Sequence, residues 1–176
     1  VKVFVNGDDT LNGDYTRVDE VVVADGKTLT GPDSFTNWGG MKVNLNGSNA
    51  KYTGKAAVMS GKTIEGTGSL TVTHVGRNAA NNGDQVTDLS NIAASVVAKG
   101  VHTVNTQTKN NSDYSRLDEL ELLNNVEVTF EGSQFTEAKH PTKYLLTGAN
   151  SSLGTSAAPV HASNAHKMKV EGSGKF

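Results

Sequence analysis

Cysteine is absent from this 176-residue chain, proline occurs three times and tryptophan once. Without thiols there is no disulfide framework, no zinc–thiolate centre and no cysteine nucleophile. Charged residues make up only 19% and aromatic residues 6%, with a net charge of −2. Such a balance offers no basic footprint for nucleic acid. No stretch is long and apolar enough to be read as a membrane-spanning helix. What is plentiful is glycine, at 19 residues, alongside frequent Asn, Thr and Ser. Gly and Asn tolerate the left-handed backbone of tight turns, and Thr favours strands. Together they predict an all-β protein with many turns.

The order of residues adds an internal duplication. Asp14-Tyr15-Thr16-Arg17-Val18-Asp19-Glu20 returns 99 positions later as Asp113-Tyr114-Ser115-Arg116-Leu117-Asp118-Glu119. Ile64-Glu65-Gly66-Thr67-Gly68-Ser69-Leu70 returns 106 positions later as Val170-Glu171-Gly172-Ser173-Gly174-Lys175-Phe176. Order is kept while spacing drifts, as tandem duplication with loop insertions gives. The expected organisation is a first repeat unit over 1–99 and a second, truncated unit over 100–176. A unit built twice in series points to a structural frame rather than to one catalytic pocket. The alternating run Val1–Val5 and the stop at Phe176, the counterpart of Leu70, suggest a fragment or mature piece of a longer chain. The alternative is strand complementation, with Val1–Val5 of one subunit following Phe176 of another.

Short apolar runs and turn signals alternate along the chain. Val18–Val23, Lys27–Thr30, Met41–Leu45, Lys62–Glu65, Ser69–Thr73, Val101–Val104 and Val126–Phe130 are expected as strands, with turns at Asp25-Gly26, Asn46-Gly47 and Gly66-Thr67-Gly68. Leu117–Leu123 has helical spacing, but its Val-rich duplicate at Val18–Ala24 favours strand, so both are assigned strand. Leu89, Ile92, Ala93, Val96 and Val97 permit either a short helix over 84–99 or two strands.

Ala56–Thr73 followed by Asp88-Leu89-Ser90-Asn91-Ile92 resembles a repeat of very large bacterial surface proteins, the giant adhesins, S-layer-like proteins and RTX-type secreted proteins. The resemblance implies an extracellular, cell-surface β-rich repeat fold, usually a β-solenoid, with a structural or adhesive role and no catalytic residues.

Candidate sites are few. Asn6-Gly7-Asp8-Asp9-Thr10-Leu11-Asn12-Gly13-Asp14 is similar to an RTX calcium turn, so Asp8, Asp9 and Asp14 are the candidate calcium ligands. The pattern departs from RTX in having one such turn, and its counterpart at Asn105–Asp113 carries no acidic cluster. Arg17 and Arg116 are expected in structural salt bridges that fix the turn before a strand, with Tyr15 and Tyr114 on their stems. Asp19/Glu20 and Asp118/Glu119 point to opposite faces and so form no shared acid–base site. His74, His102, His140, His161 and His166 show no zinc spacing and are expected at the surface. Trp38 and Tyr52 are the candidate contacts for a glycan or protein partner. Thr28/Thr30 and Thr71/Thr73 are isolated Thr-x-Thr pairs, short of an array.

The expected protein is thus a non-enzymatic, extracellular β-solenoid of short strands (parallel β-helix-like), with a tandem β-sandwich as the alternative fold. Its expected role is a subunit or fragment of a bacterial surface layer or filament assembly, with an adhesin module and then a polysaccharide-active β-helix enzyme as the alternatives. Self-association or neighbouring repeats are the expected partners, glycan or surface protein a further one, and calcium the candidate ion.

Overall fold

The computed structural model describes residues 1–34, 38–78, 83–131, 137–154 and 168–176. Fifteen strands lie among them: β1 (Lys2–Val5), β2 (Asp9–Thr10), β3 (Glu20–Ala24), β4 (Thr28–Thr30), β5 (Lys42–Asn46), β6 (Lys51–Lys55), β7 (Ile64–Gly66), β8 (Ser69–Thr73), β9 (Val97–His102), β10 (Thr106–Thr108), β11 (Glu119–Leu122), β12 (Glu127–Phe130), β13 (Tyr144–Leu146), β14 (Ser152–Leu153) and β15 (Val170–Gly172). A one-turn helix, α1 (Ala56–Met59), follows β6. The strands form three parallel sheets that stack as a β-solenoid of about seven turns. The fold is the expected one, and the sandwich alternative falls because strand pairing throughout the sheets is parallel.

Most strands alternate inward apolar and outward polar residues, β3 being buried along Glu20–Val23. In β5, Val43 and Leu45 are fully buried, and in β8 Leu70 and Val72 are. Successive turns place like on like: Leu29 lies opposite Tyr52, and Tyr52 opposite Leu70. At the strand spacing of about 4.8 Å these rows fill one continuous interior.

The sheets are not built from equivalent strands throughout. The first sheet runs β1-β3-β5-β7, the second β2-β4-β6-β8-β9-β11-β13-β15, and the third β10-β12-β14. Up to β8 each turn feeds the first and second sheets. From β9 onward it feeds the second and third. The eight-stranded sheet therefore crosses residue 99, which itself lies inside β9, and joins the two expected units into one rod. The segment over 84–99 is neither a helix nor a strand pair. Ile92 makes a single parallel bridge to Ile64, extending the first sheet by one residue before β9 begins. Among the described residues no helix is long and apolar enough to cross a membrane.

Candidate functional site: a repeated ladder and corner

The duplicated blocks build the same two devices twice. The first is an ionic ladder. Lys2 pairs with Glu20 at 2.7 Å and Lys42 with Glu65 at 2.7 Å, from one strand of the first sheet to the next. In the second sheet Lys99 pairs with Glu119 at 3.4 Å, and Lys143 bridges Glu119 and Glu171 at 3.0 Å each. The hydrogen bonds to Lys2 and Asn44 hold the Glu20 carboxyl below its ordinary value. For Glu119 burial pushes upward, but Lys143 and Lys99 together outweigh it and the group is lowered. The hydrogen bonds to Glu171 and Glu119 raise Lys143 in turn.

The second device is the corner. Asp14 accepts the Thr16 N–H at 3.0 Å, and Asp113 accepts the Ser115 N–H at 2.9 Å and its hydroxyl at 2.6 Å. Sequence reasoning missed a third example. Asp88 accepts the Ser90 N–H at 3.0 Å and hydroxyl at 2.6 Å, so Asp88–Ile92 is a corner. The signal was present as Asp-x-Ser/Thr two residues before an apolar residue, the spacing at which an Asp side chain closes a turn. Each corner is shut by a backbone bond three residues long: Val18 to Tyr15, Ile92 to Leu89, Leu117 to Tyr114. Asp19 and Asp118 then cap the preceding turn, Asp19 on the Val1 amine and Asp118 on the Ala98 N–H at 2.8 Å.

This corner explains several corrections. Met41 N–H bonds to the Trp38 carbonyl and Lys62 N–H to that of Met59, so Trp38 and Met59 occupy the inward corner position held by Leu89 and Tyr114. Trp38 is 3% exposed and donates its indole N–H to the Met41 carbonyl; Tyr52 is fully buried 6.4 Å away. Neither is the surface contact expected of it. Arg17 and Arg116 are exposed and make no ion pair among the described residues: Glu20 and Glu119 are taken by the lysines of the ladder, Asp19 by the Val1 amine, and Asp14, Asp113 and Asp118 by backbone N–H groups. Asp19 and Glu20 do serve separate partners, as their alternation requires.

Asp8, Asp9 and Asp14 each accept a different backbone N–H, from Thr28, Thr10 and Thr16 at 2.9, 2.7 and 3.0 Å. Among the described residues no three His, Asp or Glu side chains gather into a metal-holding group. His102 and His140 are buried rather than at the surface, whereas His161 and His166 lie outside the described residues. The second sheet also assembles what the sequence left scattered. Thr10, Thr30, Thr53 and Thr71 stand in one cross-strand row on four successive turns, facing out.

In comparisons with known proteins the chain matches no family model, no curated protein and no solved structure.

Proposed function

We propose that the protein is a structural extracellular component, a section of a bacterial surface layer or filament assembly, and that it catalyses no reaction. What carries this reading is the recurrence of ladder and corner in both halves. Lys2, Glu20, Lys42 and Glu65 correspond to Lys99, Glu119, Lys143 and Glu171, and every member joins one turn to the next. Groups duplicated this way serve the continuity of a rod, and a rod of stacked turns resists bending and presents its sides at fixed spacing. Negative-stain microscopy of the purified protein, with calcium and with a chelator, tests it. Sheets or filaments are expected, and monodisperse particles at high concentration under both conditions would sink the idea.

A second reading, an adhesin module, is favoured by one observation, the outward row Thr10, Thr30, Thr53 and Thr71. Hydroxyls repeated at strand spacing suit the oxygens of an extended glycan. Binding to a glycan array that is lost on Thr30→Val with Thr53→Val supports this reading; no binding by the wild-type protein removes it.

A further inference from the structure

The interior changes character between the halves of the rod. In the first half the inward rows are Val21, Val23, Leu29, Val43 and Leu45, all apolar and at most 1% exposed. In the second half apolar rows continue at Leu120, Leu122 and Val128, but polar side chains join them: His102, Thr108 and Ser112 are fully buried, as is Thr87 before β9, with Thr106 at 4% and His140 at 8%. His102 ends β9. Its Cα row-mate on β11 is Leu122, which carries no charge. The Tyr114 ring meets the imidazole edge-on at 6.4 Å, and Gly76 backs it closely enough that an added Cβ would lie 3.9 Å from Cε1. Neither ring nitrogen makes a hydrogen bond of good geometry among the described residues, and the Val75 backbone beside the ring gives only partial relief.

We propose that His102 is the trigger of an acid-operated opening confined to the second half of the rod: in mild acid β9–β12 lose protection while β3–β6 keep theirs. The charged and titratable groups around the ring set the direction. The 75–77 segment supplies the cation Arg77, whose field opposes a second positive charge. The neighbouring carboxylate, Asp84, is already held by Arg77 at 3.1 Å and by the Gln107 N–H at 2.9 Å. The strand row on β11 offers Leu122, and the 112–114 segment offers Tyr114, whose hydroxyl is itself pushed up to about 12 by burial and stays neutral. A protonated His102 would be a buried cation beside a cation, without a counter-ion.

Burial, with Arg77 adding to it, brings the imidazole down to about 3, against roughly 6.5 in the unfolded chain. As pH falls below the unfolded value the open form binds the proton first, so stability is full above that value and declines below it. One proton makes the opening equilibrium rise about tenfold per pH unit between about 6 and 4.5. Glu20 and Glu119 are held below their ordinary value in the folded state, so their stabilisation starts to be lost only as pH falls through the ordinary glutamate value of about 4.3, at the acid edge of this window.

Hydrogen exchange followed by mass spectrometry at pH 7.5, 5.5 and 4.5, corrected for intrinsic rates, tests the proposal on the full chain. Protection of β9–β12 is expected to fall about tenfold from pH 7.5 to 5.5 and about tenfold again to 4.5, while β3–β6 and the emission of Trp38 change far less. His102→Leu and His102→Gln are expected to flatten the response. Equal loss in both halves overturns the proposal, as does an unchanged acid response in either folded variant. Should both variants fail to fold, the wild-type His102 Cε1–H resonance decides: it is expected not to titrate down to pH 4.5 in the folded state, and titration near pH 6.5 overturns the trigger.

Discussion

Gly66 and Gly172 occupy the same place in the two halves, with φ of 103° and 109°. A Cβ at Gly66 would lie 2.2 Å from the Leu45 carbonyl oxygen, and one at Gly172 2.2 Å from that of Leu146. These are the carbonyls that accept the next N–H, from Thr67 at 3.0 Å and Ser173 at 3.1 Å. The glycine is required both for its left-handed backbone and for the approach of one turn to the turn before it. Gly66→Ala is expected to cost about 3 kcal/mol or more in denaturant titration, since backbone contact adds to the conformational penalty. Gly61→Ala, at φ 72° with open space around it, is expected to cost only about 1–2 kcal/mol. Trp38→Ala separates an interior side chain from a surface contact: loss of about 3–5 kcal/mol is expected, measured by the same titration, and a neutral result would return the indole to the surface. The buried Tyr52 hydroxyl has no hydrogen-bond partner among the described residues. Tyr52→Phe removes that desolvated group, and a rise in stability of about 1 kcal/mol is expected.

Along the strands, Glu119 ties β11 to its neighbours on both sides, taking Lys99 from β9 and Lys143 from just before β13. Glu119→Gln is expected to cost about 1 kcal/mol, toward the upper end for a partly exposed pair, and the loss should shrink in high salt, as melting with and without 1 M salt would show. Most of these strands were legible because period-two alternation and Gly-based turns leave a local trace, as at Met41–Leu45 and Ser69–Thr73. The duplicate of Val18–Ala24 also resolved the helical spacing of Leu117–Leu123 correctly. What was illegible depended on stacking. Trp38 looks like an exposed indole beside two glycines until the turn above places it over the interior with Tyr52. Arg17 looks paired until Lys2 and Asn44 of the neighbouring turns claim Glu20. The threonine row was hidden because Thr10, Thr30, Thr53 and Thr71 are separated by unequal numbers of residues and meet only through the register of the sheet. The corner at Asp88 was obscured by the helical spacing of Leu89, Ile92 and Val96.

For the rod as a whole, the joint between halves is β8 against β9, where Gly100 faces Val72. A Cβ on Gly100 would lie 2.7 Å from Leu117 Cδ1 and 2.8 Å from Leu120 Cδ1. Because each turn contacts only its neighbours, strain there should remain local. Gly100→Val is expected to split unfolding into two steps, with the Trp38 signal of the first half keeping a midpoint close to wild type while circular dichroism shows the earlier loss of the second. A single cooperative transition at a lower midpoint would show that the halves are one folding unit. The change of sheets at β9 also has a consequence for the display of charge. The first ladder stands on the first sheet and its duplicate on the second, so one molecule displays the same pattern of charges toward two directions. The two copies of the ladder therefore stand on different sheets of one rod, out of a single plane.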